Sequence, residues 1–217
     1  MRTGTRVILI RHGETPASVE RRFAGSSDVP LTEAGERMAA LTARRMSKVS
    51  VDALYVSPML RTRTTAAPIA EAVGIDPVHD DRLVECDFGD WEGLTSPEVR
   101  ERDPDGFSAW IGDENVPPPG GESWASVLDR TGRWFDEVTE AHDGGTIVAV
   151  AHGGVVLSLV RRLVHAPYVA LLAFEIDPCS ITLLGARSQL WRVRLLNDTT
   201  HLADPLWEGP PPAPMPP

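Results

Sequence analysis

The chain has 217 residues, 42% hydrophobic and 24% charged, with 21 Lys and Arg against 31 Asp and Glu, a formal charge of −10. That length suits one domain with a sizeable core, and the acidic balance argues against nucleic acid or an anionic membrane as partner, since both need a basic face. No apolar stretch is long enough to span a bilayer, the first residues lack a signal-peptide pattern, and Cys86 and Cys179 form no metal or disulfide pattern, so a reduced, cytoplasmic protein is expected.

Val7–Ile10 is short, apolar and β-branched, the pattern of a strand buried on both faces. Thr32 reads as an N-cap, and Met38, Leu41 and Met46 predict a helix from Glu33 to Val49. A second strand is expected at Ala53–Val56, stopped by Ser57-Pro58. Thr62 to Val73 reads as a helix closed by Gly74, with Pro68 expected to bend or interrupt it. The run "PVHDDRL" suggests a third strand.

From Gly93 to Gly121 the pattern weakens, and "VPPPGG" rules out regular structure there. The stretch reads as an excursion over the carboxyl edge of a sheet, with a short helix near Pro97–Arg102. Trp124, Val127, Leu128, Thr131, Trp134, Phe135 and Val138 then recur at helical spacing. "TIVAVAHGG" is another buried strand, followed by a helix from Val155 to Val164. "LLAFEID", "SITLLGA" and "QLWRVRLLN" read as strands, with residues 185–188 as a hairpin loop between the last two.

The expected architecture is α/β. It is a three-layer sandwich with a mostly parallel central sheet, helices on both faces and an antiparallel carboxyl-terminal edge. Residues 1–208 are read as one domain, with 93–121 covering the substrate, and the proline-rich 209–217 as a disordered tail.

Ligands of an open parallel sheet bind beyond the carboxyl ends of its strands. His12 follows "VILIR" and precedes Gly13, while His152 follows "IVAVA" and precedes Gly153 and Gly154. Both should lie on one rim, with Arg61 reaching it from just past the second strand. Arg11, Arg61 and two histidines make a cationic pocket in an acidic protein. Phosphate is its natural guest, because guanidinium groups bind phosphate oxygens in a fork. A neutral imidazole attacks phosphorus, fixed cations stabilise charge spread over three oxygens, and an alkoxide leaving group needs an acid. Glu85, Asp87, Asp90 and Glu92 of "LVECDFGDWEG" all qualify as that acid, and the spacing alone does not choose.

The blocks "LIRHGET", "SPMLRTRTTA", "LVECDFGDWEG", "PGGES" and "VAHGGV" occur in this order. They resemble the signature blocks of the histidine phosphatase superfamily, in its phosphoglycerate-mutase-like branch. The resemblance implies that His12 is the nucleophile that becomes phosphorylated. It implies that Arg11, Arg61 and His152 hold the phosphoryl oxygens, helped by the Gly153 amide. Glu85 is then the proton donor, and afterwards the base toward water. Many members carry asparagine seven residues after the first arginine; here Ser18 stands there and is carried as a phosphate ligand. No metal and no cofactor are expected.

Mutases of the family carry basic residues near the catalytic glutamate for a second anionic group. Here the block is acidic, and Glu98, Glu101, Asp103, Asp105, Asp113 and Glu114 outnumber Arg100 and Arg102. The expectation is a metal-independent phosphomonoesterase of the histidine acid phosphatase type, acting on a small phosphorylated metabolite. A cofactor-dependent phosphoglycerate mutase and a non-catalytic phosphate-binding module are the alternatives. A metal site of His12, His152 and Glu85 is disfavoured, because Arg11 and Arg61 would repel the ion. Trp91, Phe107 and Trp110 are read as packing the excursion onto the body. A homodimer through an apolar terminal hairpin is a further expectation.

Overall fold

A computed structural model describes residues 4–187 and 190–203. The proline-rich tail and Ser188 of the expected hairpin loop lie outside the described residues. Among the described residues, six strands form one sheet: β1 Arg6–Arg11, β2 Ala53–Val56, β3 Val78–His79, β4 Thr146–Ala151, β5 Ile181–Arg187 and β6 Leu190–Asp198. Their order is β3-β2-β4-β1-β5-β6. The first four run parallel, and β5 and β6 add an antiparallel edge.

The helices are α1 Pro16–Glu20, α2 Glu33–Met46, α3 Leu60–Val73, α4 Ser96–Arg102, α5 Pro104–Gly112, α6 Trp124–Ala141 and α7 Gly153–Val164. Strand parity decides which pack on which face. Val7, Leu9, Ile147 and Ala149 bury against Trp134, Phe135 and Val138 of α6 and Val155, Val156 and Leu159 of α7. Ile8, Ile10, Val148 and Val150 bury against Ala43 and Met46 of α2 and Ala66 and Ile69 of α3. Because both faces are covered, the central strands need apolar residues at every position, which is why β1 and β4 read so clearly.

Some boundaries differ from the sequence reading. Thr32 caps α2, accepting from Gly35 N at 3.0 Å, a cap worth about 1 kcal/mol. The helix ends at Met46, however, three residues before Val49. Pro68 does not interrupt α3, because buried Thr65, Ala66 and Ile69 anchor the turns on both sides of it. Gly74 closes that helix at φ 72°, which a side chain would resist. Of "PVHDDRL" only Val78–His79 is strand, and Asp81–Leu83 is a 3-10 turn capped by Asp80. "LLAFEID" is no strand: Tyr168–Ala173 is 3-10 helical and the following residues are irregular. Gly185, Ala186 and Arg187 are not loop but pair with Arg192, Trp191 and Leu190.

The excursion carries α4 and α5, not one helix. Cys86, Phe88, Trp91, Val99, Phe107, Trp110 and Val127 form a small core of their own, with Phe23 and Trp124 packed against it. Trp91, Phe107 and Trp110 are therefore buried packing residues, as expected.

Candidate active site

Register assembles the site. Arg11 pairs with Ala151, and Val56 with Val150, so Ser57, His12 and His152 leave the three central strands at one level. The two imidazole centroids are 5.3 Å apart, at 62°. Arg11 follows the parity of Val7 and Leu9 toward α7, where a Cβ built on Gly153 would lie 3.8 Å from its Nε. The histidines take the opposite parity, toward Arg61 in the first turn of α3.

His12 is buried, and its backbone is held on both sides. Its amide donates to Ala151 O at 2.9 Å, and its carbonyl accepts from Cys179 N at 3.1 Å. Its Nδ1 lies 2.7 Å from Gly13 O. A carbonyl can only accept, so Nδ1 carries the proton and Nε2 the lone pair. Burial, then the Arg11 and Arg61 guanidiniums, hold this ring neutral well below the usual histidine range.

His152 has the opposite tautomer. Its Nδ1 accepts from Arg61 Nε at 3.2 Å, and its Nε2 donates to Ser57 Oγ at 2.8 Å. It too is held neutral, by burial first and then by Arg61, His12 and Arg11. Both of its nitrogens are engaged inside the protein. Contact with a phosphoryl oxygen therefore requires one of these bonds to be exchanged.

Arg61 is 1% exposed and wrapped by backbone. Its Nη1 donates to Ser27 O at 2.7 Å, and its Nη2 to Gly25 O at 2.8 Å and Ala24 O at 3.1 Å. Arg11 differs. Its Nη1 donates to Ile176 O at 2.5 Å, but its buried Nε has no partner among the described residues. A buried donor without an acceptor is rare and costly.

The geometry separates the four carboxylates that the sequence left equal. Glu85 Oε2 accepts from Gly154 N at 3.0 Å and Oε1 from Cys86 N at 2.9 Å, which ties it to the start of α7. Asp87 closes a turn by accepting from Gly89 N at 2.9 Å. Asp90 is exposed. Glu92 is spent on the loop around Arg61, accepting from Gly25 N at 2.7 Å, Ser26 N at 3.1 Å and Ser27 Oγ at 2.5 Å.

The sequence matches the model of the histidine phosphatase superfamily, branch 1, over residues 7–199. The chain belongs to that superfamily. A bifunctional protein of Mycobacterium tuberculosis is 37% identical over 92% of this chain, which spans only 56% of that relative's length. Phosphoserine phosphatase 1 of Hydrogenobacter thermophilus is 32% identical, covering 92% of this chain and 95% of its own. A mycobacterial glucosyl-3-phosphoglycerate phosphatase, solved with VO3, superposes with a TM-score of 0.82 at 29% identity, over 89% of this chain and 99% of that one.

Against the superfamily pattern, Ser18 is the residue set apart. Its hydroxyl accepts from Thr15 N at 2.9 Å and donates to Thr15 O at 2.8 Å, capping α1, a helix the sequence reading did not find. Gly153 opens α7, where a helix leaves its first amides without intrahelical partners. Sequence reasoning passed over Ser57 and Arg130. Arg130 grips Glu122 through Nε and Nη2, both at 2.8 Å, and donates to the carbonyls of Arg82, Val84 and Glu85. It thus fixes the backbone from which Glu85 projects. An arginine on the polar side of an amphipathic helix gives no signal of such a role. Ser57, just before Pro58 at a buried strand end, could have been suspected from its position. Among the described residues, no three His, Cys, Asp or Glu side chains group as a metal site requires, and no helix is long and apolar enough to cross a membrane.

Proposed function

We propose that the chain is a phosphomonoester hydrolase that works without metal, through a phosphohistidine on His12, on a small phosphorylated metabolite. The observation that carries this reading is the buried, unpartnered Nε–H of Arg11 at the strand end that also presents the lone pair of His12 Nε2. A phosphoryl oxygen supplies the acceptor that this donor lacks.

In the first step Nε2 of His12 attacks phosphorus, the bond to the leaving oxygen breaks, and Glu85 protonates that oxygen. In the second step water attacks the phosphohistidine, Glu85 takes the proton from the water, and His12 is regenerated. Arg11, the Gly153 amide and the remaining donor of Arg61 stabilise the charge on the three equatorial oxygens. Relatives named for phosphoserine and glucosyl-3-phosphoglycerate support a small organic phosphate as the substrate class.

The test is phosphate release, with a chelator present, across phosphoserine, sugar phosphates, glucosyl-3-phosphoglycerate and 3-phosphoglycerate. Preferred hydrolysis of one compound, abolished in His12→Ala, is the expected result. Isomerised 3-phosphoglycerate without release would make the chain a mutase. Silence on both counts would leave a phosphate-binding module.

A further inference from the structure

Ser57 is fully buried at the end of β2, and both of its backbone groups are already spent. Its amide donates to Val150 O at 3.0 Å, and its carbonyl accepts from Thr62 Oγ1 at 2.7 Å. The strand and α3 therefore hold its Cβ in place, and its hydroxyl meets His152 Nε2 at 2.8 Å.

The far side of the ring fixes the direction of that bond. Arg61 Nε can only donate, so His152 Nδ1 must be the lone-pair nitrogen. In a neutral ring the proton then sits on Nε2, and Ser57 Oγ must accept it. We propose that Ser57 is a positioning residue for phosphoryl transfer. By accepting from Nε2, it holds the His152 ring at the angle from which Nδ1 seats the Arg61 guanidinium. The proposal rests on the phosphohydrolase reading above.

Ser57 acts through His152 and Arg61 and need not touch the substrate. Arg61 is held by its Nε bond on one side and by the carbonyls of residues 24–27 on the other. Without the serine hydroxyl, the His152 Nε2 proton is left buried and unpartnered, and the ring is free to turn in search of another acceptor. The guanidinium loses its Nε seat as the ring turns. Its contribution belongs to the transition state, so kcat should fall while KM changes little.

The experiment uses the full chain with Ser57→Ala and Ser57→Thr. It combines kinetics on the best phosphomonoester with nitrogen NMR of 15N-histidine-labelled protein. The wild-type spectrum should show the two site histidines protonated on opposite ring nitrogens, His12 on Nδ1 and His152 on Nε2. Ser57→Ala should lose the slowly exchanging Nε2 proton and about ten-fold in kcat, and Ser57→Thr, which keeps the hydroxyl, should recover most of both.

Wild-type kcat in a folded Ser57→Ala protein would overturn the proposal. So would a wild-type His152 protonated on Nδ1, or a folded threonine variant as impaired as alanine. If Ser57→Ala does not fold, the wild-type spectrum and the threonine kinetics still decide. A wild type without phosphatase activity would remove the phosphoryl-transfer role together with the reading beneath it. The spectrum of the same sample would then separate a wrong tautomer from a wrong reaction.

Discussion

Alanine in place of Gly154 would put a Cβ 2.3 Å from Glu85 Oε1 and 2.7 Å from two ring carbons of Trp124. Neither contact is possible, so something must move. The Trp124 ring is flanked by Phe88 and Trp110, each with its centroid 6.3 Å away, while the Glu85 carboxylate ends a flexible side chain. The carboxylate therefore yields first and loses its bond from Gly154 N, and the Trp124 ring must also give by several tenths of an ångström. Alanine suits the first turn of α7 better than glycine by up to about 1 kcal/mol. Overpacking costs about 1–3 kcal/mol, so net stability should fall by no more than about 3 kcal/mol. The effect on catalysis should be larger and selective. A positioned general acid is worth about 10²–10⁴ in rate, so hydrolysis of an alkyl phosphate should fall about a hundred-fold or more. Release of p-nitrophenolate needs no proton and should suffer far less. The assay is kcat/KM for both substrates beside a thermal melt, with Glu85→Gln as the matching control. A folded Gly154→Ala variant whose alkyl-to-aryl rate ratio stays at the wild-type value would falsify the assignment of Glu85 as the acid held by this amide.

The remaining predictions concern the loop around Arg61 and the buried imidazoles. Glu92→Gln turns an amide NH2 toward donors that Glu92 now accepts, so it should lose about 1–3 kcal/mol in urea unfolding and weaken binding of inorganic phosphate; unchanged phosphate affinity would mean that the loop does not hold Arg61. Both His12 and His152 have folded pKa values depressed below the unfolded value of about 6.5, so their contribution to stability is complete above that pH and is lost as pH falls from there toward the lower folded values. Two protons bound only by the unfolded chain give a slope of about 2.7 kcal/mol per pH unit well below pH 6.5. Denaturant midpoints at pH 7 and pH 5 should lie closer together in His12→Asn than in wild type, and an equal separation would refute the buried neutral imidazole.

Much of the site was legible because strand ends are legible. Four apolar residues before Arg11 and six buried ones before His152 mark the carboxyl ends of two central strands, and a parallel sheet brings such ends to one rim. What the sequence hid is what depends on hydrogen bonds between distant segments. Arg61 looks like a free phosphate clamp in "SPMLRT", yet three carbonyls of residues 24–27 already hold it. Glu85 and Glu92 are equivalent as letters, and only the contacts with Gly154 and with the 25–27 loop divide them. α1 escaped because five residues without a buried side chain carry no periodicity; it is closed by a Thr15–Ser18 capping box at one end and by the Arg21 amide at the other. "LLAFEID" failed in the opposite sense. Its apolar run mimics a strand, but it follows α7 and its first residues complete the 3-10 segment Tyr168–Ala173, outside the order of the sheet.

The pairing of Arg11 with Ala151 has a consequence for how this chain can vary in length. Side chains alternate across a strand with period two, so inserting or deleting one residue within β1 or β4 does more than shift a histidine along the rim. It carries that imidazole through the plane of the sheet, from the layer of Arg61 to the layer of α6 and α7. Substitutions along these strands should give graded losses. A single-codon insertion or deletion should behave as a switch, with full loss of turnover from a chain that keeps every residue of the site.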